Sequence, residues 1–326
     1  MKIVIDTDIG NGVCGANTDD GLALALALAS KKIDLKAITT LSGNVSNHLA
    51  YAVARNLISE LGVKVPVFLG SSKALLEDEK PWRKRLDESV YNFKLEHLWQ
   101  DFKPIKTYKN AKHNAVYKLC ELARVYKNEL IVCAIGPLTN IAQACVLDSN
   151  FAKNVKEIVI MGGVFDMSKY PKDTNFGFDP EAARIVLRSG AKITLAPYNI
   201  TMQTSLQHSD LEEIRAINNK LCDFLYKSIK PWISYAELTR GSIGTWIHDA
   251  LVIAYLLDSS ICKSDEYYVD VETCGEARGK STRYDKVLNM NIGIDTSKLS
   301  LVKVLRDIDN EKLLRLIKAT LDEFSN

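Results

Sequence analysis

Four aspartates are concentrated in the first twenty residues of the chain. Asp6 and Asp8 follow the apolar run Ile3-Val4-Ile5, and Asp19 and Asp20 come after a loop that contains three glycines. The β-branched run predicts a buried strand, and the alternation of side chains along a strand would place Asp6 and Asp8 on one face. Like charges so close together are unfavourable unless a cation neutralises them or their pKa values shift. A hard divalent cation held by oxygen ligands is the simplest interpretation.

The elements around these aspartates place them where an open α/β sheet binds ligands. Asn17 or Thr18 is suited to begin the helix that carries Asp19 and Asp20 in its first turn. Ligands of such sheets lie beyond the carboxyl ends of the strands. The sequence therefore predicts a polar pocket at the end of the first strand.

Two known motifs offer rival interpretations of this stretch. The segment Gly10-Asn11-Gly12-Val13-Cys14-Gly15 matches a dinucleotide fingerprint, but carboxylates on both sides would repel a pyrophosphate. Asp6-Thr7-Asp8 matches the Asp-x-Asp of haloacid-dehalogenase-type phosphohydrolases, although no late strand ends in a further acidic cluster. The phosphohydrolase alternative predicts release of phosphate, and the dinucleotide-binding alternative predicts tight NAD binding, which calorimetry would detect.

Two further interpretations explain less. An EF-hand loop that starts at Asp6 would place Gly10 where the loop requires Asp or Asn, and it would place Asn17 where the loop requires Glu. Helix capping alone explains Asp19 and Asp20, because acids favour a helix N-terminus, but it leaves the earlier pair unexplained.

The composition is that of an ordinary globular protein. The chain has 326 residues, of which 47% are hydrophobic and 25% charged, with a formal net charge of +2. This balance gives no global field that favours nucleic acid or a membrane, so we expect neither as a partner. Seven cysteines without a C-x-x-C motif, and a start that enters a strand without a signal-peptide pattern, predict a cytoplasmic protein with reduced thiols.

Strand and helix patterns alternate along most of the chain. They predict an α/β fold, with an open, mostly parallel, Rossmann-like sheet covered by helices and a more helical C-terminal third. In that last third, 267–274 and 287–294 are predicted to form a strand pair. We expect a single domain over 1–326, with 71–112 as an insertion that forms a pocket lid or a subunit contact through Trp82, Tyr91 and Trp99.

Several polar motifs follow predicted strands or begin predicted helices. In chain order, they are Asp6-Thr7-Asp8-Ile9-Gly10, Asp19-Asp20, Gly43-Asn44, Gly136-Pro137-Leu138-Thr139-Asn140-Ile141-Ala142, Met161-Gly162-Gly163, Asn175 to Ala183 with Asp179-Pro180-Glu181, and His248-Asp249-Ala250. Together they resemble the nucleoside hydrolases, the purine and pyrimidine nucleoside N-ribohydrolases. The resemblance covers Asp6 to Ala250, and the predicted sheet agrees with the fold of that family.

The resemblance implies a calcium ion at the floor of the pocket. Its ligands would be Asp8, Asp20, Asp249 and the backbone carbonyl of Ile135, with Asp6 supporting the site. Asp8 would also be the general base that deprotonates the attacking water.

The resemblance also implies the groups that hold the nucleoside. Asp19 and Asn44 would bind ribose hydroxyls, and Asp173 and Asn175 would hold the far side of the ribose. Met161, in the Met-Gly-Gly motif, would also contact the substrate. His248 would lie near the leaving base and donate a proton to it.

The activity implied is calcium-dependent hydrolysis of the N-glycosidic bond of ribonucleosides, by an enzyme that forms a homodimer or homotetramer. Cleavage of that bond builds positive charge on the ribose, which surrounding carboxylates stabilise. Two departures from the family pattern concern the substrate. Asp173 stands where the family usually has Glu, and the usual His-Gly segment after the third strand is absent. Hydrolysis of another N-riboside therefore remains an alternative.

Overall fold

Nine strands in the described part of the chain form one sheet. The computed structural model describes residues 1–77, 81–109, 111–288 and 295–325. The strands are β1 (Lys2–Thr7), β2 (Asp34–Thr40), β3 (Val67–Leu69), β4 (Leu130–Ala134), β5 (Glu157–Met161), β6 (Ile193–Ala196), β7 (Cys262–Val271), β8 (Ser281–Tyr284) and β9 (Leu301–Ile308). Their order across the sheet is β3-β2-β1-β4-β5-β6-β9-β7-β8. Strands β1 to β6 and β9 are parallel, whereas β7 is antiparallel to both β8 and β9.

Helices connect the parallel strands and cover both faces of the sheet. They are α1 (Asp19–Ala29), α2 (Asn47–Leu61), α3 (Pro81–Asn92), α4 (Ala115–Val125), α5 (Thr139–Leu147), α6 (Phe151–Asn154), α7 (Thr174–Phe178), α8 (Pro180–Leu187), α9 (Tyr198–Thr201), α10 (His208–Ala216), α11 (Lys220–Arg240), α12 (Ala250–Leu257) and α13 (Asn310–Asp322). None of these described helices combines the length and the apolar character that crossing a membrane requires.

The first strand shows why the sheet is buried on both sides. Ile3 and Ile5 pack in the core beside α1, α12 and α13, whereas Val4 packs in the core beside α4 and α5. All three side chains are fully buried. A parallel strand covered on both faces needs such a continuous apolar run rather than an alternating one.

The position of β1 determines where the pocket forms. Strands β2 and β3 lie on one side of β1, and β4, β5 and β6 lie on the other. The direction of strand addition therefore reverses between β1 and β4, and a crevice opens beyond the carboxyl ends of the strands at such a point. In the register, Asp6 lies beside Thr39 of β2 and Ala134 of β4.

The predicted fold class is confirmed, and the C-terminal third differs in detail. Strand β9 was not predicted, although it joins β6 to the antiparallel edge of the sheet. The partner of β7 is β8. Most of the strand predicted at 287–294, namely residues 289–294, lies outside the described residues.

The insertion at 71–112 packs over the pocket side of the molecule. Val90 in α3 and Trp99 in the 3-10 turn Glu96–Trp99 are buried against Trp232 and Tyr235 of α11. The prediction named two other aromatic residues in this insertion. Tyr91 is 59% exposed, and the side chain of Trp82 lies outside the described part of the structure.

Candidate active site

The predicted site residues come from seven separate segments and meet at one end of the sheet. Four follow or end parallel strands: Asp8 after β1, Asn44 after β2, Ile135 after β4 and Met161 at the end of β5. The others lie at helix starts, with Asp19 and Asp20 in the first turn of α1, Asp173 before α7, Asn175 within α7, and His248 and Asp249 before α12. Six of them, Asn44, Ile135, Met161, Asn175, His248 and Asp249, line a single cavity of about 130 Å³.

Four carboxylates, Asp8, Asp19, Asp20 and Asp249, form a cluster that we call the carboxylate floor, and Asp249 of this cluster lines the cavity. Oxygen atoms of the last three lie within 4.8 Å of one another, and none of the four residues is more than 5% exposed. Asn44 joins Asp8 to this group. Its backbone N–H donates to Asp8 Oδ2 at 2.6 Å, and its side-chain amide donates to Asp20 Oδ2 at 3.1 Å.

The carboxylate floor is electrostatically unfavourable as a set of anions. Burial raises the pKa of Asp20 well above its ordinary value, and the negative charges of Asp8 and Asp19 raise it further. The pKa of Asp249 is raised in the same way, by burial and then by Asp19, Asp20 and Asp8. Asp19 Oδ1 is buried and accepts no hydrogen bond from the described residues. Buried carboxylate oxygens that repel one another fit a hard cation, which prefers oxygen ligands and would remove the repulsion.

The loop between β1 and α1 brings the two pairs of aspartates together. Asn11, which is fully buried, holds it closed: its amide donates to Thr18 O at 2.9 Å and to Ser228 Oγ at 3.0 Å. Its carbonyl oxygen accepts from the backbone N–H of Gly21 at 2.9 Å. Thr7 adds a direct contact, because its hydroxyl donates to Asp20 Oδ1 at 2.5 Å. The loop therefore delivers both aspartates of α1 to the floor.

Two glycines make room for Asp8. A Cβ on Gly43 would lie 1.9 Å from Asp8 Oδ2, and a Cβ on Gly136 would lie 3.0 Å from Asp8 Oδ1. These glycines belong to motifs that follow β2 and β4. The backbone can approach the carboxylate only where no side chain intervenes.

Asp6 lies beneath the floor and is held by two neighbours. The hydroxyl of Thr39 donates to its Oδ1 at 2.5 Å, and the amide of Asn140 donates to the same atom at 2.8 Å. Burial nevertheless raises the pKa of Asp6 to about 7. Asn140 also donates to Thr40 O at 3.2 Å and accepts from Ser71. The motif that contains Asn140 follows a predicted strand, but nothing in its sequence indicates this contact with Asp6.

Asp19 connects the floor to the start of α12. Its Oδ2 accepts from the backbone N–H groups of His248 and Asp249, both at 2.8 Å. Both N–H groups belong to the two residues that precede α12. The contact places Asp249 at the floor and the His248 ring above it.

The opposite side of the cavity is formed by the end of β5 and by α7. The amide of Asn175 donates to Ile135 O and to Met161 O, both at 3.1 Å. Asp173 caps α7 by accepting from the N–H of Phe176 at 3.0 Å, and its other oxygen, Oδ2, is buried and accepts no hydrogen bond from the described residues. Burial raises the pKa of Asp173 to about 6, against the lowering effect of the backbone N–H groups.

His248 lies in a group of aromatic rings that we call the aromatic wall: Tyr170, Tyr198, Trp246 and His248. The imidazole stacks on Tyr198, with ring centroids 5.1 Å apart and planes inclined by 14°. Trp246 meets the same ring edge-on at 6.0 Å. Burial lowers the pKa of His248, Asp19 opposes this shift, and Arg240 adds to it.

Sequence analysis missed most of the residues at the mouth of the cavity. These are Gly15, Asn17, Ser89, Thr174, Tyr198, Trp232 and Arg240. Tyr198 lies two residues after the end of β6, so the rule that strand ends carry ligand contacts would have identified it. Ser89 belongs to the insertion, and Trp232 and Arg240 belong to the long helix α11. No local motif marks those three positions.

Comparison with known proteins identifies the family. Residues 3–315 match the model of the inosine-uridine preferring nucleoside hydrolases. The chain belongs to that family. A probable uridine nucleosidase 2 from Arabidopsis thaliana is 33% identical, over 99% of this chain and 98% of that protein. A pyrimidine-specific ribonucleoside hydrolase from Salmonella paratyphi A is 28% identical, over 85% of this chain and 86% of that protein.

Solved structures agree with this nucleoside hydrolase assignment. A plant nucleoside hydrolase superposes with a TM-score of 0.85 at 29% identity, covering 98% of both chains. A purine-preferring ribonucleoside hydrolase from Gardnerella vaginalis gives 0.83 at 26% identity, covering 99% of this chain and 98% of that one. The protein is therefore an N-glycosidase of a metal-dependent family, and its floor of aspartates could hold the metal. This assignment disfavours the phosphohydrolase and dinucleotide-binding alternatives.

Proposed function

We propose that this nucleoside hydrolase uses Ca²⁺ to hydrolyse the N-glycosidic bond of ribonucleosides, giving free base and ribose. The observation that carries the proposal is a set of buried polar side chains around one cavity. Asp249 of the carboxylate floor and Asn175 both line this cavity, and Asp173 caps the helix that carries Asn175. Carboxylates placed around a sugar stabilise the positive charge that develops on it as the bond to the base breaks.

The donor set supports calcium as the metal. Asp8, Asp20 and Asp249 offer carboxylate oxygens, and the carbonyl of Ile135 lines the same cavity. That carbonyl accepts from Asn175 and retains a second lone pair for a cation. When bound, the ion orients a water molecule and lowers its pKa.

Asp8 is the proposed general base. Its Oδ2 accepts a hydrogen bond from the N–H of Asn44, and the close backbone of Gly43 and Gly136 limits its movement. The carboxylate is therefore oriented before the substrate binds. In the reaction, it takes a proton from the attacking water, while Asp6 beneath the floor supports the arrangement.

The remaining groups bind the nucleoside. We propose that Asp19 and Asn44 hold hydroxyls on one side of the ribose, and that Asp173 and Asn175, with Met161, hold the other. The buried, unpartnered oxygen Asp173 Oδ2 is an acceptor for a ribose hydroxyl. His248, in the aromatic wall, would then face the leaving base and supply its proton.

The relatives favour a pyrimidine ribonucleoside such as uridine as the substrate. The names of two similar proteins specify uridine or pyrimidine ribonucleosides, and one similar structure is purine-preferring. Because the His-Gly segment of the family is absent after β3, another N-riboside is the second candidate.

Release of reducing sugar from uridine, cytidine, inosine and a nicotinamide riboside tests the proposal. Purified protein should release ribose from at least one of the nucleosides, lose activity with a chelator and regain it with added Ca²⁺. Release of phosphate from phosphate esters instead would contradict an N-glycosidase, and full activity after complete metal removal would contradict the role of the floor. If Mg²⁺ but not Ca²⁺ restores activity, the proposed metal is wrong and the proposed reaction is unaffected.

We also propose that the chain acts as one domain with 71–112 covering the pocket, in a reducing cytoplasmic environment, as a homodimer or homotetramer. The seven cysteines are free, which suits a reducing compartment. Light scattering at micromolar concentration tests the assembly, and a monomer would contradict it.

A further inference from the structure

His248 is held by a side chain that neither the motifs nor the floor include. The hydroxyl oxygen of Thr201, at the end of α9, lies 2.7 Å from His248 Nδ1. Thr201 is fully buried. The same hydroxyl lies 3.2 Å from the backbone carbonyl oxygen of Tyr198, one turn earlier.

The single hydroxyl proton of Thr201 determines how these two contacts are arranged. The Tyr198 carbonyl can only accept, so the hydroxyl must be the donor in that contact. Oγ1 can then only accept from the imidazole, which requires the hydrogen to be on Nδ1. The opposite assignment, with the hydroxyl donating to Nδ1, would leave the contact to Tyr198 without a proton. One tautomer therefore satisfies both contacts, and Nε2 is the ring nitrogen left for the pocket.

Hydrogen bonds between neighbouring segments hold Thr201 close to His248. The hydroxyl of Thr204 donates to Thr201 O at 2.6 Å and accepts from the N–H of Ile247 at 2.6 Å. Leu206 pairs with Thr245 through two backbone hydrogen bonds. The segment that begins at α9 is thus fastened along the segment that leads into His248. The imidazole itself is stacked on a residue of α9.

We propose that Thr201 is a positioning residue that accepts a hydrogen bond from Nδ1–H of His248, which leaves Nε2 as the ring nitrogen that serves the leaving base. In the imidazolium, Nε2–H gives its proton to the departing base, and the ring returns to the neutral Nδ1–H tautomer. The kinetic part of this inference rests on the proposed function, whereas the tautomer does not. Ring orientation and tautomer are commonly set by the partner of the nitrogen that does not react. Thr201 fills that place with a neutral hydroxyl instead of a carboxylate.

Nitrogen-15 NMR of the imidazole tests the tautomer without any substrate. The chain has only five histidines, so His248→Gln assigns the signals. At pH 8, the wild type should show a pyrrole-type Nδ1 and a pyridine-type Nε2 for His248. Thr201→Ser should preserve this pattern, and Thr201→Val, which keeps the shape but removes the hydroxyl, should lose it. The reverse tautomer in the wild type, or an unchanged pattern in Thr201→Val, would overturn the proposal.

Kinetics with two leaving groups test the consequence. Thr201→Val should lower kcat for a natural nucleoside about tenfold, the effect expected for one lost hydrogen bond, with little change in KM. Hydrolysis of nitrophenyl riboside, whose leaving group needs no proton, should stay within about twofold of wild type. Thr201→Ser should restore the natural reaction.

A matched control separates positioning from general loss of stability. Thr194 in β6 is also fully buried, and its hydroxyl donates to Glu157 Oε1 at 2.6 Å, away from the cavity. Thr194→Val should reduce the melting temperature but leave the rates for both substrates near wild type. Equal slowing of both substrates in Thr201→Val would contradict the proposal. Inactive wild-type protein with the Nδ1–H pattern intact would instead refute the proposed function.

Discussion

The carboxylate floor and the aromatic wall both contribute side chains to one cavity, and the chemistry of these side chains differs. The floor consists of four buried carboxylates that come from strand ends and helix starts. The wall consists of rings that contact one another at centroid distances of 5.1–6.4 Å. The floor has an excess of like charge, whereas the wall is made of aromatic rings, and Arg240 is among the residues that line the same cavity. Charge of this kind suits bond cleavage at the sugar, and rings suit recognition of a base.

This difference suggests that the two halves govern different parts of the reaction. Loss of a floor residue should slow every riboside, because each one passes through the same positively charged ribose. Loss of a wall residue should depend on the base, because only the leaving group meets it. The predictions below test this division.

Asp8→Asn should have the largest effect. It keeps the volume and the contact with Asn44 but removes the proposed base and one anionic ligand. We expect kcat to fall at least about a hundredfold for natural nucleosides and for nitrophenyl riboside alike. The measurement is steady-state hydrolysis at saturating calcium, with circular dichroism to confirm folding.

Asp179→Asn is the matched control for that substitution. Asp179 is equally buried, but it caps α8 and accepts from Thr139 instead of lining the cavity. Its variant should retain nearly normal turnover. Near-normal turnover of folded Asp8→Asn protein would exclude Asp8 as the base.

His248→Ala should distinguish the role of the aromatic wall from that of the carboxylate floor. Removing a proton donor to the leaving base should slow a natural nucleoside by about a hundredfold. Nitrophenyl riboside, which needs no such proton, should be slowed by only a few-fold. Calcium affinity, measured by titration calorimetry, should be unchanged. Equal slowing of both substrates would remove His248 as the acid, and loss of calcium binding would make it a support for the floor.

The same division describes how much the sequence predicts. The floor residues occur in short motifs at strand ends or helix starts, so the α/β alternation and the topology rule place them together. The aromatic wall and the mouth depend on packing between distant elements. Trp232 and Arg240 reach the cavity from α11, and Ser89 reaches it from the insertion. Helical periodicity shows that α11 is amphipathic, but it does not show which neighbour its aromatic face meets.

Strand β9 shows a similar limit at the level of the fold. It covers Leu301–Ile308, with the sequence LVKVLRDI, which does not alternate regularly between apolar and polar residues, and it lies between β6 and β7 in the sheet. Its parallel pairing with β6 and antiparallel pairing with β7 are set by long-range contacts. Local patterns identify strands more readily than they identify partners.

Gly43→Ala tests how tightly the backbone confines the floor. The added Cβ would lie 1.9 Å from Asp8 Oδ2 and 2.8 Å from Pro137 Cδ, so the carboxylate or the loop must move. We expect kcat to fall about tenfold or more for both types of substrate, because small displacements of catalytic groups are costly. Gly62→Ala is the control: it has a φ of +69° and no atom within 4 Å, so it should lose about 1 kcal/mol of stability and no activity. Normal kcat in Gly43→Ala would show that Asp8 tolerates displacement.

Asp173→Asn should have the smallest effect and tests whether the ribose side behaves like the floor. Burial raises the pKa of Asp173 from 3.8 to about 6 in the folded protein, so the folded state prefers the protonated acid. The stability that this preference contributes is complete below the unfolded pKa and is lost as the pH rises through about 6. Between pH 5 and pH 7.5, the wild type should therefore lose about 1 kcal/mol more unfolding free energy than Asp173→Asn, which does not titrate.

Urea unfolding of both proteins with saturating calcium measures this difference while the carboxylate floor is held constant. Calcium should suppress the titration of the floor carboxylates, because a bound cation favours their ionised form. Asp173 lies on the far side of the cavity, so its titration should persist. Parallel stability profiles for the two proteins would show that Asp173 is ionised over the whole range and that burial does not dominate there. If the difference in unfolding free energy between the two proteins disappears when calcium is added, the titration of Asp173 is coupled to that of the floor carboxylates.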